Sequence, residues 1–475
     1  MKLLHKIMPV FFCAKQLNNK EDICMSSTML IISCIIIAVL ILIFLTIKVK
    51  LHPFFALTIA AISFGLMTGH NINDIMTSYS TGLGGTISGI GIVIAIGTVM
   101  GALLEKSGAV ETMAQTILRI TGKKHASLGL AATGYFVSIP VFCDSAYVLL
   151  SPLAKRMSRD TAVSMTTMAI ALAMGLHATH MLVPPTPGPL AVTGILGADL
   201  GMVILLGMLV SIPVVLVAHA AGKFVGKKFY FLPEELAEEV APEGDRKRPG
   251  AVAAFMPILL PIVLMLLRTV ASLDSQPFGD GILYDVLFSL GNTVVALMIG
   301  LVIAFVSYMH IRPHDREVWT FEGEFGESLK VAGQIVLIVG AGGAFATVLK
   351  MSDLQTIVMT YFSGISAGLL VPFAIGAVFR TAIGSGTVGM ITAASMLLPL
   401  VDVLGFNTPI GLVIAMMACA SGAFMVWHGN DDFFWVVTTT SGMPADVAYK
   451  VIPIISVLQA ITSLICVYIL WILFV

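Results

Sequence analysis

Apolar runs separated by short polar or Gly/Pro-rich stretches recur along the whole 475-residue chain. About 20 apolar residues let a helix cross a hydrocarbon core. That spacing predicts spans at 29–47, 53–69, 85–104, 162–183, 190–221, 252–267, 284–309, 329–349, 408–427 and 451–474. Two further apolar stretches, 125–155 and 363–401, have lengths that suit neither one span nor two. Composition agrees with the pattern: 57% of residues are hydrophobic and 11% charged, with a mean hydropathy of +0.98, against roughly 25% charged residues in soluble domains. So little polar surface cannot coat a water-soluble globule, and the chain is predicted to be an all-α polytopic membrane protein. The 44 glycines would let its helices approach closely.

Basic residues mark cytoplasmic loops. Here they cluster at Lys48/Lys50, Arg119/Lys123/Lys124, Lys155/Arg156/Arg159, Lys223 to Arg248, and Arg312/Arg316, whereas 70–84 and 270–283 carry no Lys or Arg. The polar stretch 223–250 is predicted to be a cytoplasmic linker between two transmembrane repeats, 29–222 and 251–475. Residues 1–27 form an amino-terminal extension, read either as a short signal-like segment or as sequence upstream of a start at Met25 or Met29. Net charge is −1 and no basic stripe with interleaved aromatics occurs, so nucleic-acid binding is set aside. The six cysteines lack CxxC spacing or a paired framework and read as small apolar residues.

The flanks of 125–155 are informative, because Lys124 and Lys155 fall on the same side by the charge rule. A re-entrant hairpin meets both constraints if its irregular tip is buried in protein or lines a wet cavity. The tip would be Ser138 to Ser145, with Pro140 interrupting the helix and Asp144 at membrane depth. An internal repeat supports this. The segments 91–107 and 334–352 are both glycine-containing apolar helices ending in a Lys and a Ser, and the offset of about 244 carries the first tip onto Arg380–Gly389 and Pro184 onto His428. Loop counting gives the two copies opposite orientations, an inverted repeat of the kind that builds many secondary transporters.

Four Gly- or Pro-broken stretches result: 138–145, 177–189, 380–389 and 421–432. In lipid an unpaired backbone amide costs several kcal/mol, so helix breaks at depth are expected to build a polar site. Asp144 is the candidate for exchanging a coupling proton, since burial favours the neutral form of a carboxylate. Arg380, the lone arginine in the second hairpin, suits bidentate carboxylate recognition. Gly384, Ser385, Gly386 and Thr387 offer amides and two hydroxyls. His177 and His180 share a helix face but lack a third ligand at metal spacing, so no metal site is predicted and they read as hydrogen-bonding histidines lining a polar path. His428, Asn430, Asp431 and Asp432 are candidates for substrate hydroxyls or a coupling cation, or for two acids that merely face water.

At these residues the chain resembles the gluconate:proton symporter family, over nearly everything from about 29 to 475. The carriers are Thr179-His180 followed by Pro184-Pro185-Thr186-Pro187-Gly188-Pro189, then Arg380 to Ala394, then His428-Gly-Asn430-Asp431 with Phe434 and Trp435. Some members have Glu where this chain has Asp144, and His where it has Thr186. The resemblance implies a broken-helix, two-hairpin transporter and proton-coupled uptake of a hydroxylated carboxylate at the bacterial inner membrane. Substrate would meet Arg380, Gly384, Ser385, Gly386, Thr387, Thr179, His180, Pro185, Gly188, His428, Asn430 and Asp431, with Asp144 exchanging the proton. Expected partners are a small organic anion, H+ and membrane lipid, with a homodimer left open and no cofactor or enzymatic activity. A sodium-coupled carboxylate carrier and a D-serine-type permease remain the alternatives.

Overall fold

A computed structural model describes residues 20–233, 247–272, 277–352 and 368–475, with backbone alone for 20–28. These residues are helical, without strands. In chain order the helices are α1 Lys20–Ile47, α2 Pro53–Met67, α3 Ile72–Lys106, α4 Ala109–Thr121, α5 Ala126–Val137, α6 Cys143–Thr161, α7 Met165–Leu182, α8 Pro187–Leu196 and α9 Leu200–Lys228. There follow α10 Ala251–Ala271, α11 Ile282–Leu290, α12 Thr293–Ile311, α13 Glu324–Leu349, α14 Leu370–Ile383, α15 Gly386–Leu397, α16 Pro409–Gly422, α17 Asp432–Ser441 and α18 Ala445–Phe474. Eight stretches among the described residues are long and apolar enough to cross a membrane. The fold is therefore an all-α polytopic membrane protein.

Both predicted hairpins and both predicted helix breaks are present. Helices α5 and α6 are separated by 138–142, α14 and α15 by Gly384 and Ser385, α7 and α8 by 183–186, and α16 and α17 by 423–431. The starts of α5, α7, α8 and α9 at 126, 165, 187 and 200 match those of α14, α16, α17 and α18 at 370, 409, 432 and 445, a nearly constant shift of about 244. Packing repeats as well. A Cβ on Gly175 of α7 would lie 2.3 Å from the Ala131 carbonyl of α5, and one on Gly376 of α14 would lie 2.2 Å from the Cys419 carbonyl of α16. Local signals fix the ends: Ser164 and Asp199 cap α7 and α9, Thr408 caps α16, and Pro53, Pro187 and Pro409 open their helices.

The two broken helices run in opposite directions. Gly207 of α9 packs on the Leu182 carbonyl and Gly226 on Thr167, so α9 is antiparallel to α7 and begins at the end where α8 finishes. Pro409, the first residue of α16, lines the same cavity as residues 197–202. The second broken helix therefore starts at the end where the first one stops.

Several boundaries differ from the sequence reading. The span predicted from 85 starts earlier, because α3 begins at Ile72 behind an Asn71 cap. The span 190–221 divides at 197–199, where Gly197 adopts a left-handed φ of 73° and Asp199 caps α9, and α9 runs on past 222 to Lys228. The span 284–309 divides at Gly291 and Asn292; a Cβ on Gly291 would meet the Arg268 Cβ at 2.4 Å. Helix α4 escaped notice because its Glu111, Gln115 and Arg119 dilute the apolar run. Residues 1–19 of the amino-terminal extension, 234–246 of the linker and 363–367 of the second hairpin lie outside the described residues.

Candidate functional site

Both hairpin tips and the second helix break converge on a cavity of about 230 Å3. Three of its walls are first turns of helices: Cys143 and Asp144 of α6, Gly386 and Thr387 of α15 with their cap Ser385, and Asp432 and Phe433 of α17 with their cap Asp431. Unpaired amides and the helix dipole make each such end weakly positive. His177, His180 and Met181 of α7 close a fourth side, and Thr46 and Pro53 also line it.

Arg380 lines the cavity and is 2% exposed. Its Nη1 forms an ion pair with Asp431 Oδ2 at 2.5 Å and donates to the Gly384 carbonyl. Asp431 meanwhile accepts through Oδ1 from the backbone N–H of Phe433 at 2.7 Å, capping α17. One carboxylate thus starts a helix and neutralises a guanidinium that desolvation would otherwise penalise. The tip must turn sharply to permit this. Gly384 has a φ of 86°, and a Cβ there would come within 2.3 Å of the Asn430 carbonyl, so only glycine fits. Asn430 donates from Nδ2 to the Thr381 carbonyl at 3.0 Å, a second tie between break and hairpin.

Asp144 is half-buried at the start of α6. Its Oδ1 and the Nδ1 of His180 have no hydrogen-bond partner among the described residues, and both residues face the cavity. Ser385, Asn430 and Asp432 are exposed within it. The charged groups are one guanidinium against three carboxylates, Asp144, Asp431 and Asp432.

The remaining sequence-predicted residues lie apart. Thr179 is fully buried and donates to the Tyr135 carbonyl at 2.9 Å, tying α7 to α5. Pro185 lines a separate small void with Gly97 and Pro140. Gly188 packs on Met390 and Thr387, and thereby holds the first break against the second tip. His428 is half-buried outside the cavity wall, its carbonyl accepting from the Asp431 N–H at 3.0 Å.

His177 lines the cavity as expected, but its partners Trp427, Phe433 and Gln459 were not foreseen. His177 stacks on Trp427 with centroids 4.8 Å apart, and Trp427 stacks on Phe433 at 4.9 Å. Gln459 of α18 holds this stack, with its Oε1 3.4 Å from His177 Nδ1 and its Nε2 donating to the Met174 carbonyl at 3.0 Å. A lone glutamine within the apolar run 451–474 was the available signal, since polar side chains in membrane helices commonly bond across helices.

A lipid-embedded bundle whose broken helices enclose a small charged cavity is a polytopic membrane permease. A profile of the GntP family permeases matches residues 29–474, and the chain belongs to that family. An uncharacterized permease of Haemophilus influenzae is 37% identical over 425 residues, 86% of this chain and 85% of that one. A gluconate permease of Pseudomonas aeruginosa is 33% identical over 416 residues, 86% and 90% of the two chains. The D-serine transporter DsdX of Escherichia coli K12 is 31% identical over 433 residues, 90% and 95%. Among solved structures, the YdaH transporter of Alcanivorax borkumensis shares the fold, with a TM-score of 0.64 at 14% identity over 89% of this chain and 98% of that one. The protein is a multi-pass permease of the bacterial inner membrane.

Proposed function

We propose that this permease is a secondary active transporter that imports gluconate or a related hydroxylated carboxylate together with protons. The observation that carries the reading is the charge balance of the cavity: Arg380 is already paired with Asp431, while Asp144 and Asp432 add two more carboxylates. An anion entering that surplus of negative charge meets repulsion unless protons arrive with it. Protonating Asp144 removes one charge and supplies a donor to the substrate. Three helix amino-termini and Arg380 then favour a carboxylate. Ser385, Thr387, His180 and Asn430 can satisfy hydroxyls. Antiparallel halves at 29–222 and 251–475 would rock about the fixed site, whose lining includes Thr46 and Pro53 on either side of the basic Lys48/Lys50 loop. The gluconate permeases among the relatives agree with this substrate class.

A second reading rests on the same surplus. Asp144 and Asp432 could receive the ammonium group of a zwitterion such as D-serine, the solute named for DsdX. Uptake of labelled gluconate into membrane vesicles, competed by aldonates, glycerate and D-serine with and without sodium, separates these cases. Competition by aldonates alone in sodium-free buffer supports the proposal. Competition by D-serine alone favours the amino-acid reading, and a strict sodium requirement removes proton symport.

A further inference from the structure

A second cavity, about 690 Å3, lies at the opposite end of the bundle from the Lys48/Lys50 loop, where residues 197–202, the ends of α10 and α11 and the start of α16 meet. Ile90, Val93 and Leu190 are part of its lining, and a Cβ on Gly194 would lie 2.5 Å from Ile90, so α3 and α8 pack closely beside it. Polar side chains line it as well. Arg268 has its guanidinium carbon 4.2 Å from the centre of the Phe288 ring, and has no carboxylate partner among the described residues. Thr269, Ser272 and Asn292 surround it. The one described carboxylate there, Asp199, spends Oδ1 on the Met202 N–H at 2.8 Å and sits at the positive end of α9.

We propose that this cavity is an outer capture site for the substrate anion. Phe288 supports one face of the guanidinium, leaving its edge donors for a carboxylate, and the neighbouring hydroxyl and amide groups suit a polyhydroxylated chain. The volume falls within the range of small-molecule sites. A cation in an outward, low-dielectric cup raises the local concentration of anions near the transport path. Its charged lining, one guanidinium and one helix-capping carboxylate, differs from that of the central cavity, where three carboxylates face one guanidinium. The anion would thus be collected where charge favours it and handed to a site that accepts it only with protons. The choice of a hydroxylated carboxylate rests on the function proposed above; the anion preference of the cavity does not.

Two measurements test this. Thr269→Cys in otherwise unaltered chains on intact spheroplasts is treated with impermeant thiosulfonates of opposite charge, against wild-type labelling as background. The sulfonate reagent should react faster than the ammonium reagent, and Arg268→Gln should abolish the preference. In right-side-out vesicles, Arg268→Gln should raise the KM for gluconate uptake about tenfold, the size of one lost charge-assisted contact, with Vmax and the KM for efflux unchanged and Arg268→Lys intermediate. Labelling without sulfonate preference, or equal KM changes in both directions, overturns the capture site. Preference retained with no gluconate uptake in wild type leaves an outer anion site and overturns the proposed substrate instead.

Discussion

Arg380 on α14 and Asp431 at the start of α17 form an ion pair at 2.5 Å with side chains 2% and 8% exposed. The pair ties the second hairpin to the second helix break. Removing one partner strands a buried charge, which typically costs about 3–5 kcal/mol, whereas removing both costs much less. Arg380→Gln and Asp431→Asn should therefore each lower the melting temperature of the purified protein sharply. The double variant should recover most of that loss yet still fail to transport. A double variant destabilised by the sum of the two single losses would show that the pair is not coupled.

Asp144 faces the cavity with one oxygen unpartnered, a placement suited to a group that must gain and lose a proton. Asp144→Asn should keep substrate exchange between the two sides, which needs no net proton movement, and lose accumulation against a gradient. Counterflow and active uptake in the same proteoliposomes check this. Full accumulation by the variant would remove Asp144 from coupling.

Gln459 reaches from α18 to His177 and the Met174 carbonyl. Gln459→Leu leaves both polar groups buried without this partner, a loss of about 1–3 kcal/mol. It should also loosen the His177–Trp427–Phe433 stack beneath the cavity, raising the KM for substrate more than it lowers kcat. Gln459→Glu or Gln459→Asn restoring KM would show the effect to be hydrogen bonding and not volume.

Close helix approach depends on glycines at particular crossings. A Cβ on Gly376 would lie 2.2 Å from the Cys419 carbonyl, and one on Gly422 2.0 Å from the Phe373 carbonyl, while Gly85 faces open space. Gly376→Ala and Gly422→Ala should each destabilise by about 1–3 kcal/mol, the usual cost of overpacking. Gly85→Ala should leave thermal stability unchanged, as a detergent melting assay can test.

The overall architecture was legible because lipid imposes simple rules. Span lengths, same-side lysines at 124 and 155, and the spacing between repeats placed the hairpins and breaks within a few residues of α5/α6, α14/α15, α7/α8 and α16/α17. The sites at Asp144, Arg380 and Asp431 stood out because charged residues are costly at depth. Other features depend on three-dimensional neighbours that periodicity does not carry. The pairing of Arg380 with Asp431 joins two segments whose individual chemistry suggested separate roles. Thr179 looked like a substrate ligand but meets the Tyr135 carbonyl, since a threonine on a packed helix face serves its neighbour first. Gln459 was hidden in an apolar run, and the junctions at 197–199 and 291–292 were too brief to interrupt the hydropathy.

In the proposed cycle the anion enters its negatively charged cavity only in company with protons. The most direct test is solute-induced proton movement: purified protein in sodium-free liposomes holding a pH-sensitive dye, with gluconate added outside and no imposed gradient. Internal acidification on adding gluconate, absent with Asp144→Asn, is the predicted result. Gluconate uptake at the wild-type rate with no change in internal pH would contradict it.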